Sequence, residues 1–204
     1  MRKIIFTSLI TLIFLSACTS EVDDDNSITK LELHSANLLT SFGEFVNNEG
    51  KLLWNLVHKY DDSPQISSSY IDGFMTSRSV KTKKLLKTSS FEILSTYYDD
   101  QTLKEIENSF SNLRNMNKFL MSYYNSLEAN DEKNDDLSQK LESLYLSISN
   151  IGSGGSDSLV LFHIIDNPAR ITENYTDEEI INTLNNINKQ ISEVIKLIQN
   201  EETT

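Results

Sequence analysis

Residues 103–127 read LKEIENSFSNLRNMNKFLMSYYNSL, and their spacing sets the fold class. Starting from Leu103, the positions Ile106, Phe110, Leu113, Asn117, Leu120, Tyr124 and Leu127 advance by three and four residues in alternation. That period lays them along one stripe of a long helix. Asn117 is the one polar member. A lone asparagine in such a seam fixes register between helices at some cost in stability, so Asn117 reads as a structural residue.

The same pattern recurs twice further along the chain. Leu137, Leu141, Leu144, Ile148 and Ile151 form one seam, and Ile180, Leu184, Ile187, Ile191, Val194 and Ile198 form another. Three matching seams predict helices that pack on one another. Thr102 with Glu105, and Thr176 with Glu179, have the spacing of a capping box and mark expected helix starts. A further helix is expected from Thr29 to Tyr60, closed by Asp61, Asp62, Ser63 and Pro64. It carries two stripes, Leu31, Leu38, Phe45, Leu52 and Leu39, Val46, Leu53, Tyr60, and so is expected to sit centrally. Gly43 and Gly50 lie close to the second stripe, predicting either a kink or the close approach of a neighbour. Between Pro64 and Asp100 the pattern weakens. Ile66, Tyr70 and Phe74 suggest a short helix, no period appears after it until Phe91, Leu94 and Tyr98, and Ser89 with Glu92 would cap the resumed helix. The fold class is therefore all-α, a single bundle of about five to seven helices over residues 28–200.

The N-terminal residues have a different logic. Arg2 and Lys3 precede an apolar stretch from Ile4 to Leu15 that is too short to span a bilayer, which takes about 20 apolar residues. A charged start, a short apolar core and small residues have the form of a cleavable signal. Leu15, Ser16, Ala17 and Cys18 come next, and Cys18 is the single cysteine of 204 residues. This stretch resembles the lipobox of bacterial lipoproteins. The resemblance covers residues 1–18 and implies that residues 1–17 are removed by signal peptidase II and that Cys18 carries acyl chains on its sulfur and its amino group. Each buried methylene contributes about 0.8 kcal/mol and stable anchoring takes more than one chain, so a triacylated Cys18 would hold the chain at a membrane. Thr19 stands after the cysteine where an aspartate is associated with inner-membrane retention, so the resemblance implies the outer membrane in a host with two membranes. Residues 18–27, with Glu21, Asp23, Asp24 and Asp25, read as a polar tether.

Cleavage takes away Arg2 and Lys3, leaving 16 of the 18 basic side chains against all 30 acidic ones, so the net charge moves from −12 to −14. That balance disfavours nucleic acid and anionic membrane surfaces as partners of the domain and favours basic ones. With its one cysteine committed to lipid, the chain has none for a disulfide or a thiolate metal site.

Chemistry-bearing motifs are few. His34 and His58 fall on different faces of the first helix, and His163 sits within the apolar run LVLFHIID, where it reads as a core histidine. No His-Glu-x-x-His motif occurs, Ser27 and Lys30 lack the companions of a serine acyltransferase, and DEKNDD at 131–136 lacks the glycine and final glutamate of a calcium loop. Catalytic residues, metal ligands and cofactor signatures are therefore not expected. GSGGSDS at 152–158 lacks the lysine and spacing of a P-loop and reads as a connection, with Asp157 or Ser158 capping the helix after it. Trp54 and the pairs Tyr97 with Tyr98 and Tyr123 with Tyr124 read as core and boundary residues.

The stretch Arg78, Lys81, Lys83, Lys84 and Lys87 gathers five of the 16 remaining basic residues without an acid among them. It is a solvated face or a docking patch for lipid phosphates or an acidic protein. The function expected from these features is a membrane-anchored envelope lipoprotein whose helical domain binds a protein partner, as an immunity protein or inhibitor would. The alternative is a carrier or receptor for a small molecule or lipid held between helices, which a cavity in the bundle would favour. Replacement of Cys18 by serine is expected to move the protein from the membrane to the soluble fraction on cell fractionation; unchanged partitioning would refute the lipid anchor.

Overall fold

The computed structural model describes residues 23–60, 63–85, 88–128, 134–149 and 159–201, and of residues 23–33, 79–84, 88 and 89 the backbone alone. Cys18, Ile151, Lys87 and the stretch 152–158 lie outside the described residues. All regular structure among the described residues is helical: α1 (Asp23–His58), α2 (Pro64–Leu85), α3 (Thr88–Phe91) running into a 3₁₀ helix (Glu92–Thr96), α4 (Asp100–Ser126), α5 (Asp135–Ile148), α6 (Leu161–Asp166), α7 (Pro168–Asn174) and α8 (Asp177–Glu201). The chain divides into two units, 1–37 and 38–204. The described part of the first is the opening of α1; the second holds the bundle and its core.

Helix α4 is the hub. Ile106, Phe110, Leu113, Met116, Asn117, Leu120, Tyr123 and Tyr124 are all buried, so the seam of the sequence is occupied and widened by its flanking positions. One side packs on α8 and another on α2, while α8 also packs on α5. The six seam residues of α8 and the first four of α5 are buried as their spacing requires. From α1, Phe42, Phe45, Val46, Leu52, Leu53 and Leu56 enter the same core, which accounts for the two stripes of that helix. Burial of each such side chain contributes about 1.5–3 kcal/mol.

Local chemistry accounts for the helix ends. At α8 the capping box is complete: Thr176 N–H donates to Glu179 Oε2 at 2.8 Å, and Glu179 N–H donates to Thr176 Oγ1 at 3.3 Å. The Thr176 N–H bond, with the Thr176 hydroxyl donating to the same oxygen at 2.8 Å, holds the Glu179 carboxyl below its ordinary range. The box expected at Thr102 does not form. Asp99 caps α4 instead, accepting from Thr102 N–H at 2.7 Å, and Thr102 is buried in the first turn. Aspartate caps better than threonine, and this start lets α4 begin one turn earlier. Asn134 caps α5 through Leu137 N–H at 2.7 Å. Helix α6 starts after Val160, not at Asp157 or Ser158.

Two further expectations are corrected. Helix α1 is already formed at Asp23, the first described residue and six residues before Thr29. Helix α2 continues to Leu85, well beyond the short segment expected, since nothing between Phe74 and Leu85 breaks a helix and its packing on α4 supplies what its weak period does not. Its buried residues also differ: Ile66 is exposed, whereas Ser67 and Ser68 are buried. Ser67 Oγ donates to Tyr60 O at 2.8 Å and Ser68 Oγ donates to Asn125 Oδ1.

Of the two possibilities raised by the glycines of α1, close approach is what occurs. A Cβ on Gly50 would lie 2.8 Å from Ser149 Cβ and 2.9 Å from its Oγ, so α1 meets the end of α5 there. A Cβ on Gly73 of α2 would meet nothing within 4 Å. Both substitutions to alanine gain the same helix propensity, about 1 kcal/mol, and they differ in crowding. Gly73→Ala is expected to raise stability by about that amount, and Gly50→Ala to lower it by about 1–3 kcal/mol as Ser149 is displaced. Denaturant midpoints of the two variants would measure the contrast.

Candidate functional site

Along α1 the inward positions run Phe42, Phe45, Val46, Glu49, Leu52, Leu53 and Leu56, with a carboxylic acid in the middle of an apolar arc. Glu49 is 3 % exposed. Its partner comes from α4, where Asn117 Nδ2 donates to Glu49 Oε2 at 2.8 Å. Asn117 thus makes a contact between helices from its seam position, to a glutamate of α1. A buried ion without a full set of partners is expensive, and the usual escape is protonation. Burial pushes the Glu49 carboxyl up from 4.5 to about 7, opposed by the Asn117 hydrogen bond and by the charge of Arg78.

Glu49 and Asn117 stand at the wall of a cavity of about 100 Å³. Phe45, Asn48 and Glu49 of α1, Phe74, Met75 and Arg78 of α2, and Arg114 and Asn117 of α4 line it. The walls are thus aromatic and thioether on one part and carboxyl, amide and guanidinium on the other. Arg78 is half-buried, with its guanidinium carbon 4.2 Å from the centre of the Phe74 ring, a cation–π contact that holds the side chain inward. Two polar atoms of these lining residues are buried without a hydrogen-bond partner among the described residues: Asn117 Oδ1, an acceptor, and Arg78 Nη1, a donor. Buried polar atoms are nearly always paired, and each one left alone costs about 1–3 kcal/mol.

The basic stretch is divided by this arrangement. Arg78 belongs to the cavity, while Lys81, Lys83 and Lys84 come after it on the last two turns of α2. The histidines are apart from the cavity. His34 is exposed near the start of α1, and His163 is buried in α6. His58 Nε2 lies 2.9 Å from Glu142 Oε2, an exposed pair joining α1 to α5. Beside it Trp54, 42 % exposed, packs against the His58 ring at 5.2 Å, and Leu146, 43 % exposed, lies one turn beyond Glu142. Between α5 and α8 runs a polar groove crossed by Lys140 and Glu193 at 2.9 Å. Among the described residues no group of acidic, histidine or cysteine side chains could hold a metal ion, and no helix is long and apolar enough to cross a membrane.

Compared with known proteins, the chain matches no family model, no curated protein and no solved structure. Sequence reasoning missed Glu49, Arg114 and the inward role of Arg78. The signal for Glu49 was present, because Phe42, Phe45 and Val46 on one side and Leu52, Leu53 and Leu56 on the other are in phase across it. For the arginines there was none, since their convergence depends on how α2 and α4 cross.

The carboxyl makes a clear prediction about pH. Its folded pKa lies above the unfolded one, so its contribution to stability is fully present below pH 4.5 and is lost as the pH rises through about 7. The loss amounts to about 3 kcal/mol. Glu49→Gln keeps the shape and cannot ionise. The two proteins are expected to have similar melting temperatures near pH 4.5, with the variant the more stable by pH 8; parallel curves across that range would refute the assignment.

Proposed function

We propose that this protein is a lipid-anchored lipoprotein of the bacterial cell envelope, held by Cys18, whose helical domain is a receptor for a small polar molecule bound between α1, α2 and α4. The single observation that carries the receptor reading is the cavity at Glu49, with its unpaired donor and acceptor. Binding pockets combine mostly apolar walls with a few convergent polar groups, which is the composition found here. The lipobox residues Leu15 to Cys18 support the anchor, with the outer membrane as the site in a host with two membranes. The balance of charge supports a domain that stays off anionic lipid.

A second reading keeps the helical surface as the functional part and makes the ligand a protein. It is favoured by Trp54 and Leu146, exposed apolar side chains each one turn from a member of the His58–Glu142 pair and on the same side of it. Tryptophan is among the residues that most often anchor protein interfaces. The basic residues Arg78, Lys81, Lys83, Lys84 and Lys87 would serve the same reading only in part, since Arg78 is engaged with Phe74.

Full-length protein extracted from membranes in mild detergent and examined by native mass spectrometry separates the two. A small molecule carried by the wild type and absent from a cavity-filling Met75→Trp variant is the expected result. A stoichiometric protein retained by both, and lost on Trp54→Ala, would instead make the surface the functional part.

A further inference from the structure

The chemistry around the cavity narrows the class of ligand; this step rests on the receptor reading above. Three facts bear on it. First, the space is about 100 Å³. An engineered protein cavity of about 150 Å³ accepts benzene, so this smaller one suits a molecule of at most about six heavy atoms. Secondly, the unmet needs are of both kinds. Among the described residues Arg78 Nη1 is a donor without an acceptor, and Arg114 adds a second guanidinium to the lining, while Asn117 Oδ1 is an acceptor without a donor although Asn117 is only 2 % exposed. Thirdly, the Glu49 carboxyl is buried with one hydrogen bond among the described residues, from Asn117 Nδ2.

A plain carboxylate would serve the arginines and leave the Asn117 oxygen unpaired. A plain amine would serve Glu49 and Asn117 but bring a cation beside two guanidinium groups. A molecule with a carboxylate at one end and an ammonium at the other meets both sets at once. From this we infer that the cavity binds a small α-amino acid, glycine or alanine in size, with its carboxylate toward Arg78 and Arg114 and its ammonium toward Glu49 and Asn117. Guanidinium groups take carboxylates in paired hydrogen bonds, and an ammonium has three donors for the two oxygens that lack them. With about 100 Å³ in all, once the two charged ends are placed the space beside Phe45, Phe74 and Met75 suits a hydrogen or a methyl group.

The ammonium beside Glu49 favours the ionised carboxylate, so binding near neutral pH is accompanied by release of a proton. The charged groups facing Glu49 across the cavity are Arg78 from α2 and Arg114 from α4, and both are cationic throughout the range concerned. A carboxylate-only ligand would instead add negative charge and take a proton up.

Full-length protein in detergent would be titrated by calorimetry with glycine, alanine, leucine, acetate and methylamine, in buffers of differing ionisation enthalpy at pH 7, with the Asn117 side-chain amide monitored by NMR. The expected result is binding of glycine or alanine with proton release and a shift of the Asn117 amide. Acetate, methylamine and leucine should each bind at least tenfold more weakly. Glu49→Gln and Arg114→Gln should each weaken alanine binding at least tenfold while retaining the wild-type circular dichroism. Should either variant fail to fold, the proton release and the ligand ranking in the wild type still decide. Acetate binding as tightly as alanine, or with proton uptake, overturns the amino-acid assignment and leaves the receptor reading standing. No shift of the Asn117 amide with any probe, in a protein that native mass spectrometry finds loaded with another small molecule, has the same consequence. No shift in a protein that carries nothing overturns both.

Discussion

The ring of Phe110 is where three parts of the chain are made to agree. Phe45 of α1 stacks on it at 4.8 Å, while Phe42 of α1 and Phe91 of α3 meet it edge-on at 5.4 and 5.5 Å. Edge-on and stacked pairs of this kind add about 0.5–1.5 kcal/mol each to the burial of the rings, and they have preferred angles, so they orient helices as well as holding them. With α1 and α3 set against this point of α4, and α2 and α8 packed along its other sides, every later feature of the domain depends on how far each helix extends beyond Phe110. Two turns further along α4 the apolar contact gives way to Asn117 and Glu49.

That change from rings to polar groups has an energetic meaning. A core made only of leucine and phenylalanine at this crossing would be the more stable, as replacement of buried polar pairs by well-packed apolar ones tends to be. Here the α1–α4 contact carries a glutamate whose ionisation burial opposes, an asparagine with one oxygen unpaired, and an arginine from α2 held in by an aromatic ring. Each of these costs stability, and together they surround the same small space. Natural proteins depart from the most stable packing chiefly at sites that do something, which is why the cavity, and not the longer and better-filled contact of α4 with α8, carries the functional proposal.

Other polar groups of the bundle are spent differently. Tyr98 donates its hydroxyl to Ile164 O at 2.7 Å and so ties the segment before α4 to α6, its ionisation strongly opposed by burial. Asn112 and Asn188 join α4 to α8 at 3.0 Å, with Glu105 accepting from Asn188 at 3.1 Å. These bonds satisfy the groups that make them. The contrast with Glu49 and Asn117 is one of completeness: a network that closes on itself fixes structure, and one left open has capacity for something else.

What the sequence determined by itself was the helical class, the faces of α4, α5 and α8 and the capping box of α8, because each depends on spacing within a single helix. The lipobox resemblance of Leu15 to Cys18 is equally local and likewise needs no fold to be read. The start of α4 at Asp99 and the length of α2 were less legible, since competing caps and tertiary packing decide them. Only the tertiary structure decided the site. Glu49, Arg78, Arg114 and Asn117 come from three helices, and a basic stretch that looks uniform along the chain is split: Arg78 lies over the Phe74 ring one turn before it on α2, and the packing of α2 on α4 brings that pair to the cavity. Side-chain convergence depends on the angles and offsets at which helices cross, and no single helix contains that information.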